Sequence, residues 1–157
     1  MGARPNEAHV NTVLGRKGGP IETAWVTALA TPRQGHAAFV VAFHPGLAVK
    51  PATLFVNKAA IDGERHGTLT WGAAQAGVAR GITEAVRAGI VSAAEVDDLL
   101  LIAAVWVDPN ADDEDAVYEN NAEAARVALE AGARSLPRVE DVLAAGDPWS
   151  NFFRPPV

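Results

Sequence analysis

Cysteine is absent from this chain of 157 residues, which at once excludes a disulfide framework, a thiolate metal site and a thiol nucleophile. Basic residues are also few. Thirteen Lys and Arg stand against nineteen Asp and Glu, leaving a formal charge of −6, and a surface of that sign repels nucleic-acid backbones and anionic membranes as general partners. No apolar run reaches the roughly 18 residues a membrane span requires, and the opening Met1-Gly2-Ala3-Arg4-Pro5 lacks a signal peptide's apolar region. A cytoplasmic protein is expected. Neither a Gly-x-Ser-x-Gly elbow nor a Walker loop occurs, which argues against hydrolase and nucleotidase chemistry.

The residues that are present alternate between strand and helix signals over one domain's length. A strand is expected over about Glu7–Leu14, ending in the glycine-rich turn Gly15-Arg16-Lys17-Gly18-Gly19-Pro20. Proline suits a helix's first turn, and Ile21, Ala24, Trp25, Ala28 and Leu29 then recur at helical spacing until Thr31-Pro32 stops them. Ala37–Phe43 and Ala52–Val56 read as strands, and Gly72–Ala88 as a helix whose many small residues imply close packing. Leu99–Val107, rich in β-branched residues, is the candidate central strand. A last long helix runs over about Asp112–Ala131, with acidic residues at the positive end of its dipole. The fold class expected is α+β: a two-layer sandwich of a mainly four-stranded sheet packed on helices. It would occupy residues 1–134, followed by an arm over 135–157. A short helix is expected over Val139–Ala145, with Trp149, Phe152 and Phe153 beyond it to dock on the domain or on a neighbouring subunit.

Chemistry concentrates near the start. Side chains alternate along a strand, so His9, Asn11 and Val13 share one face. An imidazole exchanges protons near neutrality, which makes His9 a candidate acid or base with a hydrogen-bonding amide beside it. A lone histidine on a strand is more often an ordinary hydrogen-bonded side chain. Three further segments accompany it: Lys50-Pro51-Ala52-Thr53-Leu54 leading to Asn57-Lys58, then Gly72-Ala73-Ala74-Gln75, then Asp97-Asp98-Leu99 with the acidic helix start at Asp112-Asp113.

Together with His9-x-Asn11 and its glycine turn, these segments resemble the formaldehyde-activating enzyme family, from about Glu7 to about Glu130. Members of that family condense formaldehyde with tetrahydromethanopterin to the methylene adduct and water, as homopentamers with the site between subunits. The resemblance implies His9 as the general acid that helps the carbinolamine hydroxyl leave as water. It implies Asn11, Val40, Lys58 and Gln75 as substrate-binding residues, tetrahydromethanopterin as co-substrate and no metal. Three positions depart from the family pattern. Asn11 stands where the family has Asp, Ala60 where it has Thr and Val40 where it has Leu. An amide cannot favour a protonated imidazole as a carboxylate does, so a second reading is a catalytically weak paralogue that binds or senses a pterin or an aldehyde.

Other groups have plainer explanations. Arg16 and Lys17 could cradle an anion at a helix start, although such turns are common. His36, His44 and His66 lack the spacing of a metal site. The acidic clusters at Asp97-Asp98 and Asp112–Asp115 suit helix ends without a cation.

Overall fold

A computed structural model describes residues 1–145. Strand β1 (His9–Arg16) leads through Gly18, whose φ of 77° only glycine adopts freely, into α1 (Pro20–Ala30). Two short strands follow, β2 (Phe39–Val40) and β3 (Ala42–His44), the latter in a hairpin with β4 (Leu47–Ala48). Next come β5 (Ala52–Asn57), α2 (Gly63–Thr68), a π-helical turn (Leu69–Ala74) and α3 (Gln75–Arg87). Strand β6 (Leu99–Trp106), α4 (Glu114–Ala133) and α5 (Val139–Ala145) complete the described chain.

The main sheet has the order β1-β6-β5-β2. Strand β6 is interior, as its apolar run demands, antiparallel to β1 and parallel to β5. One face carries Val10, Leu101, Ala103, Val105 and Phe55, which join Val78, Ala79, Ile82, Val117, Ala125 and Leu129 of α3 and α4 in a single core. Phe39 stacks on Phe55 with ring centroids 5.1 Å apart. The expected two-layer α+β sandwich is therefore present, with α3 and α4 as its main helical layer.

Small residues set how closely α3 and α4 approach. A Cβ at Gly77 would lie 2.3 Å from the Tyr118 carbonyl oxygen, and one at Gly81 2.2 Å from that of Ala122. Any side chain there would force the helices apart. Helix α4 starts on an Asp113 carboxylate that accepts from the Ala116 amide at 3.0 Å, a helix cap of ordinary strength. The Asn6 side-chain oxygen also accepts from the Asp112 and Asp113 amides, tying the first residues of the chain to this helix start.

Two elements differ from the sequence expectation. The strand expected over Ala37–Phe43 breaks at Val41, which is fully buried; its amide donates to Thr53 and its carbonyl accepts from Val49, so the chain leaves β5 there for the small hairpin. The helix expected from Gly72 starts nine residues earlier, at Gly63. Two glycines weaken its helical signal. A buried His66 holds it instead: Nδ1 accepts from the Asp62 amide at 3.0 Å, and Nε2–H donates to the Val107 carbonyl at 3.1 Å. The expected short helix over Val139–Ala145 is present, exposed throughout. Trp149, Phe152 and Phe153 lie outside the described residues.

Candidate functional site

The sheet's second face is only partly covered. Helix α1 crosses one end of it, where a Cβ on Gly15 would lie 3.0 Å from Ile21. Beyond α1 the strands present a set of side chains fixed by register. His9 pairs with Trp106 and Asn11 with Ala104, which in turn pairs with Val56. Cross-strand partners point to the same side, so His9 and Asn11, Trp106 and Ala104, and Val56 share this face. Lys58 follows β5, and its amide donates to the Val105 carbonyl at 2.7 Å, extending the ladder so that Lys58 comes level with Trp106.

The result is a row of imidazole, indole and ammonium across three strands, with a second row behind it. Lys58 Nζ donates to Asn11 Oδ1 at 2.7 Å. That contact spans the width of β6, and it passes over Ala104, whose single methyl leaves room for the lysine stem. Three residues singled out from sequence, His9, Asn11 and Lys58, are thus brought together. Trp106 joins them unannounced: inside an apolar run it reads as core, and only the strand order reveals that it faces out, half-buried.

Electrostatics around the imidazole run against a standing acid. Partial burial and the nearby Lys58 ammonium, in that order, hold the His9 pKa below the usual imidazole value. Burial also lowers Lys58. Asn11 accepts from the ammonium but brings no charge to offset it, so the neutral ring dominates at pH 7.

Val40 and Gln75 stand apart from this cluster. Val40 pairs with Leu54 on the edge strand, and Leu54 with Ile102, so Val40 shares the open face of the sheet at the level of Val13 and is 38% exposed. Gln75 begins α3 in the helical layer, and its Oε1 accepts from the Ala42 amide at 3.1 Å. Within this chain the sheet separates it from His9. Ala60 is exposed, two residues beyond Lys58 and against Gly35.

Beside the His9 cluster, between α1 and the end of β5, opens a cleft of about 650 Å³, lined by Thr23, Thr27, Arg33, His36, Val56 and Asn57 among others. Buried Asn57 builds its far wall. The Asn57 side chain donates to the carbonyls of Gly35 at 2.9 Å and Ala59 at 2.7 Å and accepts from the Ala37 amide at 3.2 Å, so one residue ties the loop before β2 to the segment carrying Lys58. His36 Nδ1–H donates to the Asn57 carbonyl at 2.9 Å. The sequence carries little signal for Arg33 and His36 as a pair of wall residues, since loop residues acquire their neighbours only in the fold, and Asn57, part of a segment singled out from sequence, gains its role as a tie only there.

The glycine turn has its own partners. The Gly18 amide donates to the Glu22 carboxylate at 2.9 Å, Arg16 pairs with Glu95, and Lys17 donates to the Asp97 carbonyl. Lys50 pairs with Asp97 and holds that carboxyl below its usual range. An anion reaching this turn would have to displace protein acids. His44 is exposed, with Nδ1 donating to the Pro45 carbonyl. Among the described residues, no three His, Asp or Glu side chains converge, and no helix is long and apolar enough to cross a membrane.

A family model described as formaldehyde-activating enzyme matches residues 1–153. The chain is 37% identical, over 153 residues, to a 5,6,7,8-tetrahydromethanopterin hydro-lyase of Methanosarcina barkeri, covering 98% of this chain and 86% of that relative. It is 33% identical over 147 residues to a bifunctional enzyme Fae/Hps of Methanosphaera stadtmanae and 31% over 143 residues to one of Methanothrix thermoacetophila. Those two matches cover 94% and 91% of this chain but only 36% of each relative.

Proposed function

The chain belongs to the formaldehyde-activating enzyme family, and from that premise we propose that it condenses formaldehyde with tetrahydromethanopterin to the methylene adduct and water. The observation that carries this reading is the Lys58–Asn11 hydrogen bond at 2.7 Å beside His9 on an open sheet face. It sets a proton-exchanging ring next to two polar groups able to hold a flat heterocycle by its edge. A pterin nitrogen adds to formaldehyde and gives a carbinolamine. Loss of its hydroxyl as water needs one proton; the iminium left behind is trapped by the second nitrogen, which releases a proton in turn. His9 supplies the first proton as general acid. Lys58 and Asn11 orient the ring, and Val40 and Gln75 complete its binding site.

Gln75 then belongs to a neighbouring subunit's contribution, in a homopentamer with sites between subunits. Two separate apolar patches support such a ring. Val13, Val26 and Leu29 are exposed near β1 and α1, and Phe43 and Leu47 on the small hairpin; two different patches meeting head to tail are what a cyclic assembly uses. We place the protein in the cytoplasm and assign it no metal, no nucleic acid and no membrane partner.

A second reading keeps the pocket without turnover: a paralogue that binds or senses a pterin or an aldehyde. Asn11, Ala60 and the lowered His9 pKa favour it. Stopped-flow measurement of methylene-tetrahydromethanopterin formation separates the two, because the reaction also proceeds unaided. A protein-dependent rate gain supports the enzyme; saturable pterin binding without any gain supports the paralogue.

A further inference from the structure

We propose that the cleft between α1 and β5 is a binding site for the anionic tail of the pterin co-substrate, with Arg33 as its charge partner. The inference rests on the proposed reaction and adds where the rest of the molecule goes. Position is the first argument. Val56 lines the cleft and also pairs with Ala104, the residue over which Lys58 reaches Asn11. A ring held at that hydrogen bond therefore leads whatever it carries into the cleft. Folate-like pterins carry an arylamine arm with carboxylate or phosphate groups, and a space of about 650 Å³ is of the size that encloses small ligands.

Charge is the second argument. The chain is acidic overall, yet no Asp or Glu lines this cleft, and its charged group is Arg33. Arg4, Arg16, Lys50, Arg80, Arg126 and Arg134 each hold a carboxylate, and of the described cations that hold none, which include Lys17, Lys58, Arg65, Arg87 and Arg138, it is Arg33 that lines this cleft. Among the described residues Arg33 holds none, so its guanidinium is available for a bidentate grip on a carboxylate or a phosphate. The walls supply the rest of a mixed site. Thr23 and Thr27 fall one helical turn apart on α1, and His36, with Nδ1–H committed to the Asn57 carbonyl, keeps Nε2 for a hydroxyl on the arm.

The test compares three reduced pterins, one with a carboxylate tail, one with a phosphate tail and one with no tail, by the protein-dependent rate of formaldehyde condensation. Arg33→Ala is expected to raise KM for both tailed forms by about tenfold, the scale of one charge-assisted contact, and to erase most of their advantage over the tail-less form. Arg33→Lys restores part of it. Ala28→Trp, which fills the cleft without touching charge, raises KM for the tailed forms in the same way. A larger loss for one tailed form identifies which anion the cleft takes. An equal change for tailed and tail-less pterins, or none in either, overturns the assignment while leaving the reaction standing. A wild-type protein without rate gain on any of the three overturns the reaction and the cleft with it.

Discussion

Replacing Asn11 with aspartate adds one negative charge two residues along the strand from His9, on the same face. Strand geometry puts those positions about 7 Å apart. His9 is exposed, so the field between them is mostly that of solvent. Coulomb's law with an effective dielectric between about 40 and 80 gives about 0.6 to 1.2 kcal/mol in favour of the imidazolium, or about a three- to eightfold higher ratio of protonated to neutral ring. The new carboxylate also pairs with the Lys58 ammonium, one cause of the lowered His9 pKa. Proton NMR reads the His9 titration directly, with His36, His44 and His66 assigned by single replacements. Low salt is the right condition, because a Debye length near 8 Å at 0.15 M already screens this distance. The titration of His9 in Asn11→Asp is expected to move up. If the protonated ring is the acid, the rate gain at pH 7 rises by up to the same factor, and the wild-type gain increases as pH falls into the imidazole range. A His9 titration that stays put or moves down refutes the electrostatic account; one that moves up with no change in rate removes His9 as proton source.

Other consequences follow from the same geometry. Lys58→Met removes both the donor to Asn11 and the charge that lowers His9, so pterin affinity is expected to fall about tenfold while the His9 titration moves up; an unchanged KM in steady-state kinetics counts against Lys58 as a ring contact. In a shared-site ring, His9→Ala and Gln75→Ala subunits, each inactive alone, regain activity when unfolded and refolded together, since some interfaces then pair an intact His9 with an intact Gln75; mixtures as inactive as their parents contradict the intersubunit site. Gly81→Val is expected to cost more than about 3 kcal/mol or to prevent folding, because its side chain meets the Ala122 carbonyl. Gly72→Ala, with open space around its Cβ position, raises stability by about 0.5–1 kcal/mol. Thermal melts of the two variants check both signs.

Much of the fold is legible in periodicity. The alternation of His9–Arg16, the stripe of α1 and the apolar run of β6 each announce their own element, and β6 its burial, but of the α1 stripe only Ile21 is buried and Leu29 stays exposed. Where the reading falters, the deciding contact is distant in sequence. Residues 63–68 carry too little helix propensity to announce themselves, and they are held by a histidine reaching Val107, 41 residues on. Val41 ends a strand that its neighbours would continue, because Thr53 and Val49 claim its backbone. At the site, His9, Asn11 and Lys58 are found by resemblance and drawn together by strand register. Trp106, Arg33 and His36 stay hidden in sequence for a physical reason: an outward face of an interior strand and a turn next to a buried asparagine exist only after the sheet has formed. The placement of Gln75 on the helical layer, accepting from the Ala42 amide, is likewise invisible in the chain.

The most direct measurement is a stopped-flow comparison of wild-type protein with His9→Ala, following methylene-tetrahydromethanopterin formation against the unaided reaction at several pH values. Wild-type protein is expected to give a rate gain that grows toward lower pH, and His9→Ala to fall by about 100-fold or more, toward the unaided rate, as the loss of a general acid implies. A variant that keeps the wild-type gain and its pH dependence contradicts the account.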